Sequence, residues 1–325
     1  MSGTKSGELF TAIREAVRYV AENARYVCVE TGRISAYARS LPLDQIADLG
    51  LDPAYHYIGD EASTVAYIVT LDSINFGSGY FPHLKKRAGL SGYMTIASSL
   101  AERFRNDGPI PAERLCRIGE IECARIFGQD LSDPVVRELM GLYARAWNDL
   151  GADLIARFDG SFLDLIAAAD RSIGQLIEIL SEQPFFRDVS DYRGREVPFY
   201  KRAQILASDL SLAFGRSGPG RFDDIDRLTI FADNLVPHVL RLDGILSYER
   251  ELSERIERGE LIEGGSEEEV EIRACAVHAV ELIVAALTEG GSRVTAREID
   301  CLLWNRGQSP VYKQTPRHRT RTVFY

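Results

Sequence analysis

Apolar residues recur at intervals of three and four along most of this chain, the spacing that lays one side of a helix against a core. Leu9, Ile13, Val17 and Val20 form such a stripe, and VVRELMGLYARAW at 135–147 repeats the pattern. A mainly α-helical protein is the fold class this spacing predicts. Helices are expected over Leu9–Ala24, Gly32–Ser40, Gly92–Asn106, Ala112–Ile118, Pro134–Leu150, Phe162–Leu180, Lys201–Phe214, Asp223–Ala232, Ser247–Glu260, Glu267–Thr288 and Thr295–Trp304. Asp60 and Glu61 suit a helix start in DEASTVAYIVTLDSINFGSGYFP, where β-branched residues leave strand as an alternative but length favours a buried helix. Gly77, Gly79 and Pro82 end it. Val27–Val29 reads as a short extended piece, and the one convincing β signal is Phe186–Tyr200, where a Tyr-Arg-Gly-Arg turn between short alternating runs predicts a small hairpin. At 325 residues the chain exceeds the usual span of about 100–200 residues per domain. With no repeat, linker or shift of composition, residues 1–325 read as one compact domain, a two-lobe arrangement remaining open.

Charge and composition remove several function classes. A net charge of −10 leaves no broad basic face for duplex nucleic acid. No run of about 18 apolar residues crosses a membrane and no apolar signal-peptide core is present, so a soluble cytoplasmic protein is expected. The five cysteines lack C-x-x-C spacing and read as reduced core thiols. The five histidines lack any paired spacing, so neither a metal nor a cofactor is expected. The GSG at Gly77–Gly79 has no preceding strand and no Walker lysine, which makes it a poor phosphate cradle.

A few polar residues stand out against apolar surroundings. LTIFADNLVPHVLR (228–241) reads as a helix end, a break, and a restart fixed by Pro237. Asp233 at the break is either the cap of the second helix or a working carboxylate in an apolar setting. Asp72, with Asn75 and Phe76 after it, is either a structural carboxylate serving loop amides or one that faces a ligand. Lys201 is a snorkelling surface lysine or a partner for Asp233. The order helix, Gly/Pro loop, helix, Asp is similar to the helix-hairpin-helix core of DNA glycosylases, although the loop glycines do not match their usual spacing. Trp304 is core or a platform for a base. In the tail, Lys313, Arg317, His318, Arg319 and Arg321 alternate with Tyr312, Thr320 and Phe324. The tail is therefore either disordered or docked with a phosphate contact.

Taken together, Tyr57–Pro82, Leu228–Pro237, Glu269–Glu281 (EVEIRACAVHAVE), Ile299–Arg306 (IDCLLWNR) and the terminal PRHRTRTVFY resemble the queuosine salvage protein family. The resemblance spans nearly the whole chain. It implies a helical, DNA-glycosylase-like fold and an N-glycosidase that hydrolyses queuosine 5′-monophosphate, returning queuine to tRNA modification. It also implies Asp233 as the catalytic carboxylate and Lys201 as its partner. His56, Asp72, Asn75, Phe76, Phe231, His238, Trp304, Tyr312 and Arg317 are the candidates for substrate binding, with Arg202 and Arg319 as further candidates for the phosphate. A free nucleotide is the expected partner and a monomer the expected state. The alternatives are a non-catalytic carrier of queuine or its nucleotide and a DNA-lesion glycosylase, the latter disfavoured by the acidic charge.

Overall fold

The computed structural model describes residues 2–48 and 51–325. The chain begins with α1 (Ser2–Asn23), β1 (Val27–Val29) and α2 (Thr31–Ser40), then a 3-10 turn over Leu43–Asp48. Next come α3 (Glu61–Asp72), α4 (Gly92–Asp107), α5 (Ala112–Leu115), α6 (Glu120–Phe127) and α7 (Pro134–Phe158). After α8 (Phe162–Ala167) and α9 (Ile173–Ser181) a hairpin forms from β2 (Val189–Tyr192) and β3 (Arg195–Pro198). The remaining elements are α10 (Lys201–Ala213), α11 (Leu235–Leu242), β4 (Leu246–Tyr248), α12 (Arg250–Glu257), α13 (Glu267–Glu289), α14 (Ala296–Arg306) and α15 (Pro310–Gln314).

The mainly α reading and the hairpin hold. Asp60 caps α3 by accepting from the Ser63 amide, and every residue from Thr64 to Asp72 is buried, so the long apolar run is indeed a core helix. Arg193 and Gly194 both take positive φ (53° and 79°) at the hairpin turn, which matches the twist of its two strands. Ser266 and Thr295 cap α13 and α14, the latter through a capping box with Glu298.

Four expectations change. The helix expected over Phe162–Leu180 is two helices, broken where Asp170 and Arg171 take positive φ. Ser172 and the carboxylate of Asp224 then cap α9 by accepting from the amides of Gln175 and Ile173. A second sheet joins β1 to β4 antiparallel, Val27 opposite Tyr248 and Val29 opposite Leu246; strands of three residues are too short to show alternation. Cys28 is exposed rather than a core thiol, and all five cysteines are free. The largest change is at Asp223–Ala232. Only a 3-10 turn over Ile225–Arg227 forms there, and Leu228–Ala232 runs on without helix. The second helix of a helix-hairpin-helix unit is therefore missing at that place.

Apolar side chains gather in two clusters. One is built on α3, α4, α7 and α10, with Trp147, Tyr143 and Phe104 fully enclosed. The other surrounds α13 and takes in α1, α2, α11 and α14. Between them runs a buried ion pair. The Arg273 guanidinium donates to both oxygens of Asp188 at 3.0 and 2.7 Å, with side chains 1% and 3% exposed. Glu271, on the same helix and fully buried, accepts from the amides of Tyr26 and Val27 and from the Tyr192 hydroxyl. The charges in the EVEIRACAVHAVE segment are thus fasteners of the core. Arg273→Met leaves Asp188 buried without its cation and is expected to cost about 3–5 kcal/mol of folding stability in urea denaturation. The double variant Arg273→Met/Asp188→Leu should cost clearly less than the sum of the two single changes, and strict additivity would contradict this role.

Candidate active site

Leu228–Ala232 explains how the site is built, because its backbone has no sheet to pair with. Side chains from three helices take that part. Gln204 of α10 accepts from the Thr229 amide at 3.0 Å; Asp300 of α14 accepts from the Phe231 amide at 2.9 Å; Arg273 of α13 donates to the Ala232 carbonyl at 2.9 Å. Held this way, the segment delivers Asp233 to the start of α11. Its Oδ1 accepts from the amides of Leu235 and Val236 at 2.7 and 3.2 Å. Capping is therefore a real role of Asp233, but it uses one oxygen, and the residue also lines a cleft.

That cleft encloses about 990 Å³. One wall is the α10 face carrying Lys201, Ile205, Asp209 and Leu212. Phe231–Leu235 and the Asp300–Trp304 part of α14 form another, and the loop containing His56 adds a third side with Tyr93 at the start of α4. The tail is docked: His318, Thr320 and Tyr325 are buried, and Thr315, Pro316, Arg317 and Arg319 cross the cleft. Gly77 and Gly79 make this docking possible. Gly77, at φ 105°, donates its amide to the Tyr325 carbonyl at 2.9 Å, and a side chain on Gly79 would strike the Thr320 carbonyl. The GSG stretch is a seat for the tail.

Lys201 is 4% exposed and follows Tyr200, a non-glycine residue at φ 48°. Asp188 holds that strained corner, its carbonyl taking the Phe199 and Tyr200 amides and its carboxylate the Lys201 amide at 3.1 Å. The Lys201 ammonium donates to the Asn75 carbonyl at 3.1 Å; among the described residues it forms no ion pair with Asp233. Burial lowers its pKa, the neighbouring Arg202 pushes the same way, and Asp233, Asp72 and Asp300 oppose both. The direct pairing of Lys201 with Asp233 expected from the sequence is thus replaced by proximity, with Asn75 as the contact.

The cleft brings together His56, Asn75, Phe76, Lys201, Phe231, Asp233, Trp304, Tyr312, Arg317 and Arg319 from the sequence-based set. Three candidates lie outside it. Asp72 is fully buried behind Asn75, accepting from its amide nitrogen at 3.1 Å. His238 is 2% exposed and its Nε2 faces the Tyr312 carbonyl at 2.9 Å, so it backs Tyr312 from inside the fold. Arg202 is spent on the Ser73 carbonyl and stacks over Phe76 and Phe186, which removes it as a phosphate ligand. Conversely, Asp209, Asp300 and Tyr93 line the cleft without having been singled out. Asp209 lies eight residues after Lys201 and so on the same helix face, a signal the sequence did carry. Asp300 lay inside IDCLLWNR unremarked. Burial raises the pKa of Asp300, and Asp233 beside it pushes the same way. Among the described residues no group of three His, Cys, Asp or Glu side chains is placed to hold a metal ion.

The profile of the queuosine salvage protein family matches residues 55–325 of this chain. The chain belongs to the queuosine salvage protein family. It is 39% identical to a Sphaerobacter thermophilus protein named queuosine 5′-phosphate N-glycosylase/hydrolase, over 95% of this chain and 96% of that one. Proteins of the same name from Dictyostelium discoideum and Bos taurus are 32% and 31% identical, over 97% and 96% of this chain and 99% and 98% of theirs. The segments that carry the likeness to the queuosine salvage family converge spatially. Asn75–Phe76, Phe231–Leu235, Asp300–Trp304 and Arg317–Tyr325 contribute to the cleft, and Glu269–Glu281 braces it through Arg273.

Burial lifts the Asp72 carboxyl from its ordinary 3.8 to about 7, against the pull of Asn75, Lys201 and Arg202. The unfolded chain therefore releases this proton near pH 4 while the folded chain keeps it, and stability from this group falls as pH rises from about 4 to 7. Asp72→Asn removes that dependence. Its stability relative to the parent protein in urea titrations should rise between pH 5 and pH 8, and an equal difference at both pH values would contradict the assignment.

Proposed function

We infer that this protein hydrolyses the N-glycosidic bond of queuosine 5′-monophosphate, releasing queuine and ribose 5-phosphate. The observation that carries the reading is a carboxylate with one oxygen pinned and the other free at the cleft surface, in a chain whose full-length relatives carry this activity in their names. Two helix-start amides fix the orientation of Asp233. Its Oδ2, which makes no hydrogen bond among the described residues, is available to the substrate.

Cleavage passes through a sugar with positive charge developing at the anomeric carbon. Asp233 faces that charge and stabilises it electrostatically, and the same carboxylate orients the attacking water. The bond between the anomeric carbon and the base nitrogen breaks with its electron pair going to the base. The water oxygen bonds to the carbon, and the water proton ends on the departing base. Lys201 places a second charge at the reacting end and fixes Asn75 through its carbonyl. Asn75, aligned from behind by Asp72, reads the polar edge of the base. Phe76, Phe231, Trp304 and His56 flank the flat ring, while Tyr312 lines the side that His238 supports. Arg317 and Arg319 receive the 5′-phosphate, since both line the cleft that Asp233 also lines.

This reading treats the two apolar clusters as lobes of one catalytic domain over residues 1–325, active as a monomer on a free nucleotide in the cytoplasm. No helix is long and apolar enough to cross a membrane among the described residues, and the net charge of −10 disfavours duplex nucleic acid. Incubation with queuosine 5′-monophosphate should yield free queuine by chromatography. Asp233→Asn should lower turnover by roughly 10²–10³-fold or more, with an unchanged circular dichroism spectrum. Full turnover in that variant would end the assignment, and tight binding of the intact nucleotide without base release would favour a carrier instead.

A further inference from the structure

The active-site description leaves one carboxylate unused. Asp209 stands on α10 in line with Lys201 and Ile205, and eight residues along a helix carry it about 12 Å beyond Lys201, away from the reacting end. It faces the cleft, and among the described residues it makes neither a hydrogen bond nor an ion pair. Lys201 and Arg297 act on it from a distance, and among the described residues neither forms an ion pair with it. Lys201 is bound to Asn75, and Arg202 is bound to Ser73. A further cation, Arg297, is buried; among the described residues it donates to Ser208, and its Nε has no partner. Asp72 adds a second carboxyl close by, with its Oδ2 buried and unpartnered. Burial and Asp72 together raise the Asp209 pKa, so the protein's own groups disfavour the charged form of this carboxyl. The walls around it are apolar and aromatic: Ile205, Leu212, Tyr93 and Trp304.

A carboxyl left without a protein donor in a cleft with apolar walls is complementary to a cation carried on a small hydrocarbon ring. We propose that Asp209 is the specificity residue for the side arm of the substrate, accepting from the positively charged secondary amine that links the cyclopentenediol ring to the base. The proposal rests on the N-glycosidase reading above. It gives the cleft a division of labour: Asp233 serves the sugar, Asn75 the base, and Asp209 the feature that distinguishes queuine from an unmodified 7-deazaguanine.

The test compares queuosine 5′-monophosphate with 7-deazaguanosine 5′-monophosphate, which has the same ring and sugar phosphate without the arm. The parent protein should prefer the former. In Asp209→Asn, kcat/KM for queuosine 5′-monophosphate should fall roughly 10–100-fold, mostly through KM, as expected when the ammonium loses its anionic acceptor and keeps only a neutral one. The same parameter for the armless nucleotide should stay unchanged, so discrimination collapses. Calorimetry of free queuine against 7-deazaguanine gives the same comparison where the armless nucleotide is not turned over. Asp209→Ser serves where the first variant does not fold, and Asp209→Glu should recover part of the preference. Equal losses on both ligands, or no change on either, would overturn the proposal while leaving the N-glycosidase reading intact. A parent protein that releases no queuine at all would instead strike at that reading.

Discussion

The Arg273 guanidinium is the interaction on which the site depends. It is enclosed at 1% exposure between Asp188, the Ala232 carbonyl and the rings of Phe199 and Tyr325. Each partner belongs to a different part of the active site. Asp188 anchors the strained entry to α10 and therefore Lys201; Ala232 precedes Asp233; Tyr325 ends the docked tail. A buried ion pair contributes little net stability against an apolar replacement, because desolvation offsets most of the Coulomb attraction. Its value here is positional. One rigid, planar donor fixes three segments distant in sequence, as a fork of N–H groups can and a lysine cannot.

The same logic explains why so many polar and charged side chains are buried in a protein of net charge −10. Glu271 gathers the amides at the start of β1, Asp300 holds the Phe231 amide, and Gln204 holds Thr229. An irregular segment crossing a core must have its backbone groups satisfied by something, and here side chains of α10, α13 and α14 do it. What results is an irregular stretch of chain whose backbone is held by side chains, ending in a carboxylate that lines a cleft. A carboxylate fixed in place is what electrostatic stabilisation of a charged transition state requires, since it need not reorganise as charge develops.

Much of this was legible in the sequence. Three- and four-residue spacing gave the helical class, and Asp60 marked its helix start through cap chemistry that is purely local. The hairpin was readable because its turn needs particular residues. Leu228–Ala232 was not, since a short, largely apolar run flanked by turns is equally compatible with a helix and a buried extended run. What decides between them is three partners located far away in the chain. The candidate site was legible to the extent that its residues sit in unusual local settings: Asp233, Lys201, Asn75 and Trp304 reach the cleft. Asp72 and His238 shared those settings but serve from behind, because sequence shows that a polar residue is enclosed without showing which way it faces. Asp209 was overlooked although its position on the Lys201 face of α10 could be counted.

In the proposed mode of binding, Asp233 lies beneath the anomeric carbon of a nucleotide whose base and arm extend along α10 toward Asp209. A crystal structure of the Asp233→Asn variant with intact queuosine 5′-monophosphate is the decisive measurement. The anomeric carbon is expected in van der Waals contact with the side chain at position 233, the phosphate at Arg317 or Arg319, and the arm at Asp209. A nucleotide bound in the reverse direction, with its sugar beside Asp209 and its base remote from Asn75, would contradict it.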